Sequence, residues 1–135
     1  MDYSSNFTFV SMVTKMDDTF SKERNGWRSI HQVYVQHFLF GFIIVWEMAV
    51  VVLLAAGAIK MITKFKATAL EFKKAKVFAA SGFALGVLLW FTVFIAVGGE
   101  WFLMWQSKNW NAQNIGFQLT CCFLLFLLHH NQEDV

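Results

Sequence analysis

Two long apolar runs, neither broken by a proline, restrict this chain more than any other feature. Residues 33–59, "VYVQHFLFGFIIVWEMAVVVLLAAGAI", carry a single charge, Glu47, and residues 77–99, "VFAASGFALGVLLWFTVFIAVGG", carry none. A helix that crosses a bilayer needs about 20 mostly apolar residues. The chain contains no proline at all, so nothing removes a donor from a long helical ladder. A third run, "IGFQLTCCFLLFLL", is short for the hydrocarbon core at about 1.5 Å per residue. It reaches a spanning length once extended upstream through "NWNAQN" and downstream into His129 and His130.

The fold these runs predict is an all-α integral membrane protein. It has three antiparallel transmembrane helices, at about 33–59, 77–99 and 112–130. A polar, interfacial N-terminal segment, residues 1–32, precedes a transmembrane domain over 33–135. Composition points the same way. Hydrophobic residues make up 57% of the chain and charged residues 15%, where soluble domains carry about 25% charged. A net charge of +2, with no basic stripe, excludes nucleic acid as a partner. Residues 1–30 contain no apolar core of a signal peptide and no Arg-rich presequence, so any import signal is expected to be internal.

Orientation follows from lysine placement. The link "KMITKFKATALEFKKAK", residues 60–76, holds six lysines against one acid. The N-terminal segment balances four basic with four acidic residues. The link between the second and third runs carries only Glu100 and Lys108. The lysine link is therefore expected on the matrix or cytoplasmic side. The N-terminal segment and "VGGEWFLMWQSKNWN" are expected on the outer side, and "NQEDV" back on the lysine side.

That tryptophan-rich stretch reads as an interfacial elbow. Trp101, Trp105 and Trp110 suit the headgroup level, where an indole is half apolar and its N–H finds a partner. Trp101 and Trp105 are four apart and would share a face on a helix. Gly98 and Gly99 allow close packing, and Glu100 stays near water. In the second span Gly82 and Gly86, after Ala75 and Ala79, form a small-residue stripe for close helix contact.

Few residues could carry chemistry. Glu47 lies about 15 Å past His37 along a helix, near mid-membrane. An acid at that depth is costly unless neutral or paired, so it is expected to face protein and a polar partner. A bis-histidine haem needs ligands on opposite faces of the cofactor. His31 and His37 lie at the outer side, His129 and His130 at the inner end, and the second span has none. No pair within the chain brackets a haem, and sharing one with another subunit is the only arrangement left. Cys121 and Cys122 read as small apolar residues. No catalytic constellation, phosphate loop or metal site is present. Arg28 and His31, in "WRSIHQVY", are candidates for lipid-headgroup or quinone contact. That stretch resembles the helix starts of succinate dehydrogenase anchors. Lys73, Lys74 and Lys76 are candidates for anionic phospholipid such as cardiolipin.

"VGGEWFLMWQSKNWNAQNIGF" resembles the signature of a bacterial family of predicted small integral membrane proteins, domain of unknown function 2165. "NFTFVSMVTKMDDTF" and "GWRSI" resemble the same family's segment before its next helix. The resemblance covers nearly the whole chain and implies antiparallel membrane helices, with no assigned activity. Two departures stand out. The family's usual first helix has no counterpart here, and Ala112 stands where the family tends to have glycine.

The function expected is that of a non-catalytic subunit, without intrinsic cofactor, in a multisubunit inner-membrane complex, mitochondrial or bacterial. The respiratory chain is the leading setting, with other membrane subunits and lipids as partners. The alternative is a quinone- or haem-site anchor of a succinate dehydrogenase-type complex. A small independent transporter ranks third.

Overall fold

The first element owes more to hydrogen bonding than to apolar patterning. In the computed structural model, which describes residues 2–130, helix α1 (Tyr3–Lys15) starts at an Asp2 cap. The Asp2 carboxylate accepts from the Ser4 backbone N–H at 3.1 Å, from Ser4 Oγ at 2.7 Å and from Ser5 Oγ at 2.6 Å. The Ser5 and Ser4 donors hold its carboxyl below the ordinary aspartate value. Met16 closes the helix in the left-handed region, φ 56°, with its N–H on the Val13 carbonyl. Its side chain, 1% exposed, is fixed in the core. A short turn of helix, α2 (Lys22–Asn25), and a 3₁₀ turn at Gly26–Arg28 lead to the long helices. The sequence marks residues 1–32 only as polar; the structure folds most of them into helix lying on the bundle.

The remaining helices are α3 (Val33–Thr63), α4 (Ala69–Leu89), a π-helical continuation (Trp90–Trp101) and α5 (Gln113–His130). All regular structure among the described residues is helical. The lysine link is shorter than residues 60–76 suggest. Helix α3 runs on to Thr63 and α4 begins at Ala69, so Lys73, Lys74 and Lys76 sit on the first turns of α4. Long lysine stems can lie along apolar surface while the ammonium reaches water, which lets a helix carry charge at its membrane-facing end. Thr68 caps α4 by accepting the Glu71 N–H at 3.4 Å.

Small residues set the helix spacing. A Cβ on Gly57 would lie 2.5 Å from the Ala79 backbone nitrogen, and one on Gly82 2.8 Å from Leu54 Cδ2. On the other side of α4, a Cβ on Gly86 would meet the Phe123 ring at 2.4 Å, and one on Gly116 would meet Phe94 Cβ at 2.8 Å. Partners ascend on one helix as they descend on the next, so α3, α4 with its continuation, and α5 run antiparallel. Trp46 on α3 donates its indole N–H to the Leu85 carbonyl at 3.2 Å.

At one end of the bundle, the early turns of α4 meet the end of α5, where His130 Nε2 donates to the Lys76 carbonyl at 3.1 Å. At the other end, α1 and the tryptophan stretch close over the helices. Two helices, Val33–Thr63 and Ala69–Trp101, are long and apolar enough to cross a membrane. Residues 1 and 131–135, including the "NQEDV" tail expected on the lysine side, lie outside the described residues.

Candidate functional site

The tryptophan end holds a cavity whose walls come chiefly from three elements. Helix α1 contributes Phe9, Val10 and Val13. Helix α3 contributes Leu39, Phe42 and Trp46. The π-helical segment contributes Val93, Ala96 and Val97. The space measures about 670 Å³ and its lining is almost wholly apolar. Trp46, held by Leu85, stands deepest along α3.

Polar contacts hold α1 and the loop after it in position. Gln36, 0% exposed, accepts from Ser11 Oγ at 2.9 Å and donates to the Ile30 carbonyl at 2.7 Å. Ile30 in turn donates its N–H to the Thr14 carbonyl at 2.9 Å. The following loop is tied to the tryptophan stretch. Ser107 Oγ donates to Asp18 Oδ2 at 2.7 Å and accepts the Trp110 N–H at 2.9 Å. Gln106 Oε1 accepts from Ser21 Oγ at 2.7 Å. Asp17 pairs with Lys22, which keeps the Asp17 carboxyl below its ordinary value.

Arg28 stands beside the lining residues Glu100 and Trp101. Its guanidinium lies 5.3 Å from the Trp27 ring centroid and 5.4 Å from that of Trp101. The two indoles meet edge to face, centroids 5.7 Å apart. Arg28 Nη1 donates to the Glu100 and Trp101 carbonyls at 3.3 and 3.5 Å, while its buried Nε has no partner. The carbonyls at the end of a helix carry partial negative charge, so a cation belongs there. His31, exposed, has its Nε2 at 2.9 Å from Ser29 Oγ.

Trp101 and Trp105 do not share a helix face. Leu103 adopts φ 53° and breaks the helix between them, and Trp105 falls in a 3₁₀ turn, Met104–Gln106. Trp101 meets Trp27, Trp105 meets Phe20 at 6.0 Å, and Trp110 meets Phe9 at 6.4 Å. Each tryptophan thus pins a different part of the N-terminal segment, which the four-residue spacing conceals. Gly98 and Gly99 are buried. A Cβ on Gly98 would meet Met104 Cε at 3.3 Å, and one on Gly99 the Gln113 amide at 3.2 Å.

The other candidates lie apart from the cavity. Glu47 sits half-buried on α3, and no hydrogen bond or ion pair engages its carboxyl among the described residues. The expected polar partner is therefore not within the described bundle. His37 is spent on α1: Tyr3 Oη lies 2.9 Å from its Nδ1, and Phe7 stacks on its ring at 3.9 Å. Lys73 and Lys74 are exposed near the α3–α4 turn, where Lys60 Nζ lies over the Phe78 ring. No group of His, Cys, Asp and Glu among the described residues could hold a metal ion.

Sequence reasoning found Glu100 and Trp101, and Arg28 beside them, but not the cavity that the first two line. The α1 wall could have been found from Asp2 before Ser4 and Ser5, a helix-start signature, followed by Phe9, Val10 and Val13 at helical spacing. The model of a family described as a predicted small integral membrane protein (DUF2165) matches residues 1–133, and the chain belongs to that family. No curated protein and no solved structure matches it.

Proposed function

We propose that this integral membrane protein is a non-catalytic packing subunit that stabilises a larger inner-membrane assembly, mitochondrial or bacterial, without an intrinsic cofactor. Its spans are α3, α4 with the π-helical continuation, and α5. At about 1.5 Å per residue α5 is about 27 Å long, close to the roughly 30 Å hydrocarbon core. The lysine-bearing turn faces the matrix or cytoplasm, and the tryptophan end faces outward. Other membrane subunits and phospholipids are its partners, and the respiratory chain is the first assembly to test.

The observation that carries this reading is Glu47. Its carboxyl lies mid-span with no partner inside the described chain. A charged side chain at that depth costs about 2.5–3.5 kcal/mol on insertion scales. A donor from a neighbouring subunit removes the penalty. The test is native-gel assembly of Glu47→Gln beside Glu47→Leu. The amide should keep assembly, and leucine should weaken it by leaving the neighbour's group unsatisfied. Normal assembly of the leucine variant, with lost proton- or electron-coupled activity in the glutamine variant, would replace this reading with a proton relay.

The cavity favours one second reading, a quinone-site anchor that uses Arg28, beside the lining residue Trp101, and the nearby His31. Loss of quinone turnover per assembled complex in Arg28→Ala or His31→Ala would promote it.

A further inference from the structure

We propose that the cavity between α1, α3 and the π-helical segment holds one acyl chain of a zwitterionic phospholipid, its phosphate on Arg28 and its ammonium at Glu100. The inference stands apart from the packing reading, since an isolated chain can bind lipid without joining an assembly.

Three features converge on this ligand. The first is size and chemistry. A space of about 670 Å³ falls within the roughly 300–1,000 Å³ of small-molecule sites. From Leu39 to Trp46 it runs about 10 Å along α3. Walls that are apolar on three sides suit a hydrocarbon tail.

The second is placement. Trp101, which lines the cavity, is 46% exposed, and Trp27, 72% exposed, packs edge to face against it. Exposed indoles of this kind mark headgroup depth. A chain entering there brings its own head to the same level.

The third is charge. Two opposite charges, Glu100 in the lining and Arg28 beside it, stand together without forming an ion pair. No carboxylate pairs with Arg28 among the described residues, and no cation pairs with the exposed Glu100. Yet Arg28 Nη1 lies 3.3 Å from the Glu100 carbonyl, so the two residues are immediate neighbours. Most of the Arg28 donors are unspent, and Nε is buried without a partner. A guanidinium fork matches phosphate oxygens. Phosphate alone would gain at Arg28 and lose at Glu100. A quinone carbonyl would use Arg28 and leave Glu100 unanswered. A phosphate followed by an ammonium answers both.

Native mass spectrometry of the full chain in detergent tests this, with palmitoyl-oleoyl phosphatidylethanolamine competing against phosphatidylglycerol of the same tails. One phosphatidylethanolamine should be retained per chain, favoured about tenfold, as one lost charge contact is expected to give. Ala96→Phe, which fills the cavity, should release both lipids. Arg28→Gln should weaken both about tenfold. Glu100→Gln should keep binding and erase the preference. Glu100 is exposed, so this variant decides the question even where Ala96→Phe fails to fold. Equal retention of the two lipids by the unaltered chain overturns the proposal. So does lipid retained by a folded Ala96→Phe chain, or ubiquinone retained in place of phospholipid.

Discussion

Gly57→Ala should destabilise the α3–α4 pair, although alanine is the better helix former. The added Cβ would sit 2.5 Å from Ala79 N, 2.7 Å from Ala79 Cβ and 2.8 Å from Ala79 Cα. Ordinary contact starts near 3.4 Å, so the shortfall is 3.4 − 2.5 = 0.9 Å. Two of the three obstructing atoms are backbone, so no rotamer change can clear them and the helices must separate. A radial gap of about 0.5–1 Å forfeits a quarter to a half of each dispersion well it opens. Overpacking costs about 1–3 kcal/mol, and backbone obstruction places this site in the upper part. The helical gain of alanine over glycine, about 0.5–1 kcal/mol, offsets some of it. A net loss of about 1–2 kcal/mol is expected.

Gly41 is the matched control. It lies on the same helix, and a Cβ there meets nothing within 4 Å. Gly41→Ala should therefore be neutral or stabilising by up to about 1 kcal/mol. The assay is reversible unfolding of both variants in mixed micelles by a denaturing detergent. Adding Ala79→Gly to Gly57→Ala should restore only part of the loss, because it removes the contact at 2.7 Å and leaves the one at 2.5 Å. Equal stability of the Gly41 and Gly57 variants would refute the reasoning.

Gln36→Leu should loosen α1, because it strands the Ser11 hydroxyl and the Ile30 carbonyl in a fully buried position, at about 1–3 kcal/mol. Faster tryptic cleavage after Lys15 is the readout, and cleavage at the unaltered rate would show that Gln36 does not hold α1. Leu103→Gly should raise the thermal midpoint, since relieving a left-handed leucine returns about 1 kcal/mol; a lowered midpoint would mean that its side-chain packing outweighs the strain.

The long helices were legible because lipid leaves no alternative. Backbone groups in hydrocarbon must be satisfied internally, so apolar length alone gives α3 and most of α4. Placing the N-terminal segment and the tryptophan stretch at one end was also within reach, from lysine counting. The structure's ends were harder. Lys73, Lys74 and Lys76 read as link but lie on α4, since helix propensity and snorkelling stems allow charge on a terminal turn. Helix α1 was harder to see because it buries Ser11 and Thr14 and joins α3 through Gln36, so a hydrogen-bond pattern carries most of its signal beside the short apolar set Phe9, Val10 and Val13. Trp101 and Trp105 were misplaced relative to each other because nothing local announces a left-handed leucine between them.

The π-helical segment explains why the cavity itself could not be read from residue spacing. Along α4, Ala79 against Gly57 and Gly82 against Leu54 are close-contact points three residues apart, as one face of an α-helix allows. Beyond Leu89, Phe94 and Ile95 lie against Gly116 and Gly99 lies against Gln113, so Phe94 and Gly99 on the α5 side stand five residues apart. That is the i→i+5 period of a π-helix, seen again where the Phe102 N–H bonds to the Val97 carbonyl at 3.0 Å. A segment with this period keeps one face on α5 while presenting Val93, Ala96 and Val97 to the space beside α3. An α-helical reading of the same residues would assign those side chains to the wrong directions. The lining and the rim thus depend on one local change of period. Its only sequence trace is the small-residue pair Gly98–Gly99, packed where a Cβ would press on Met104 and Gln113.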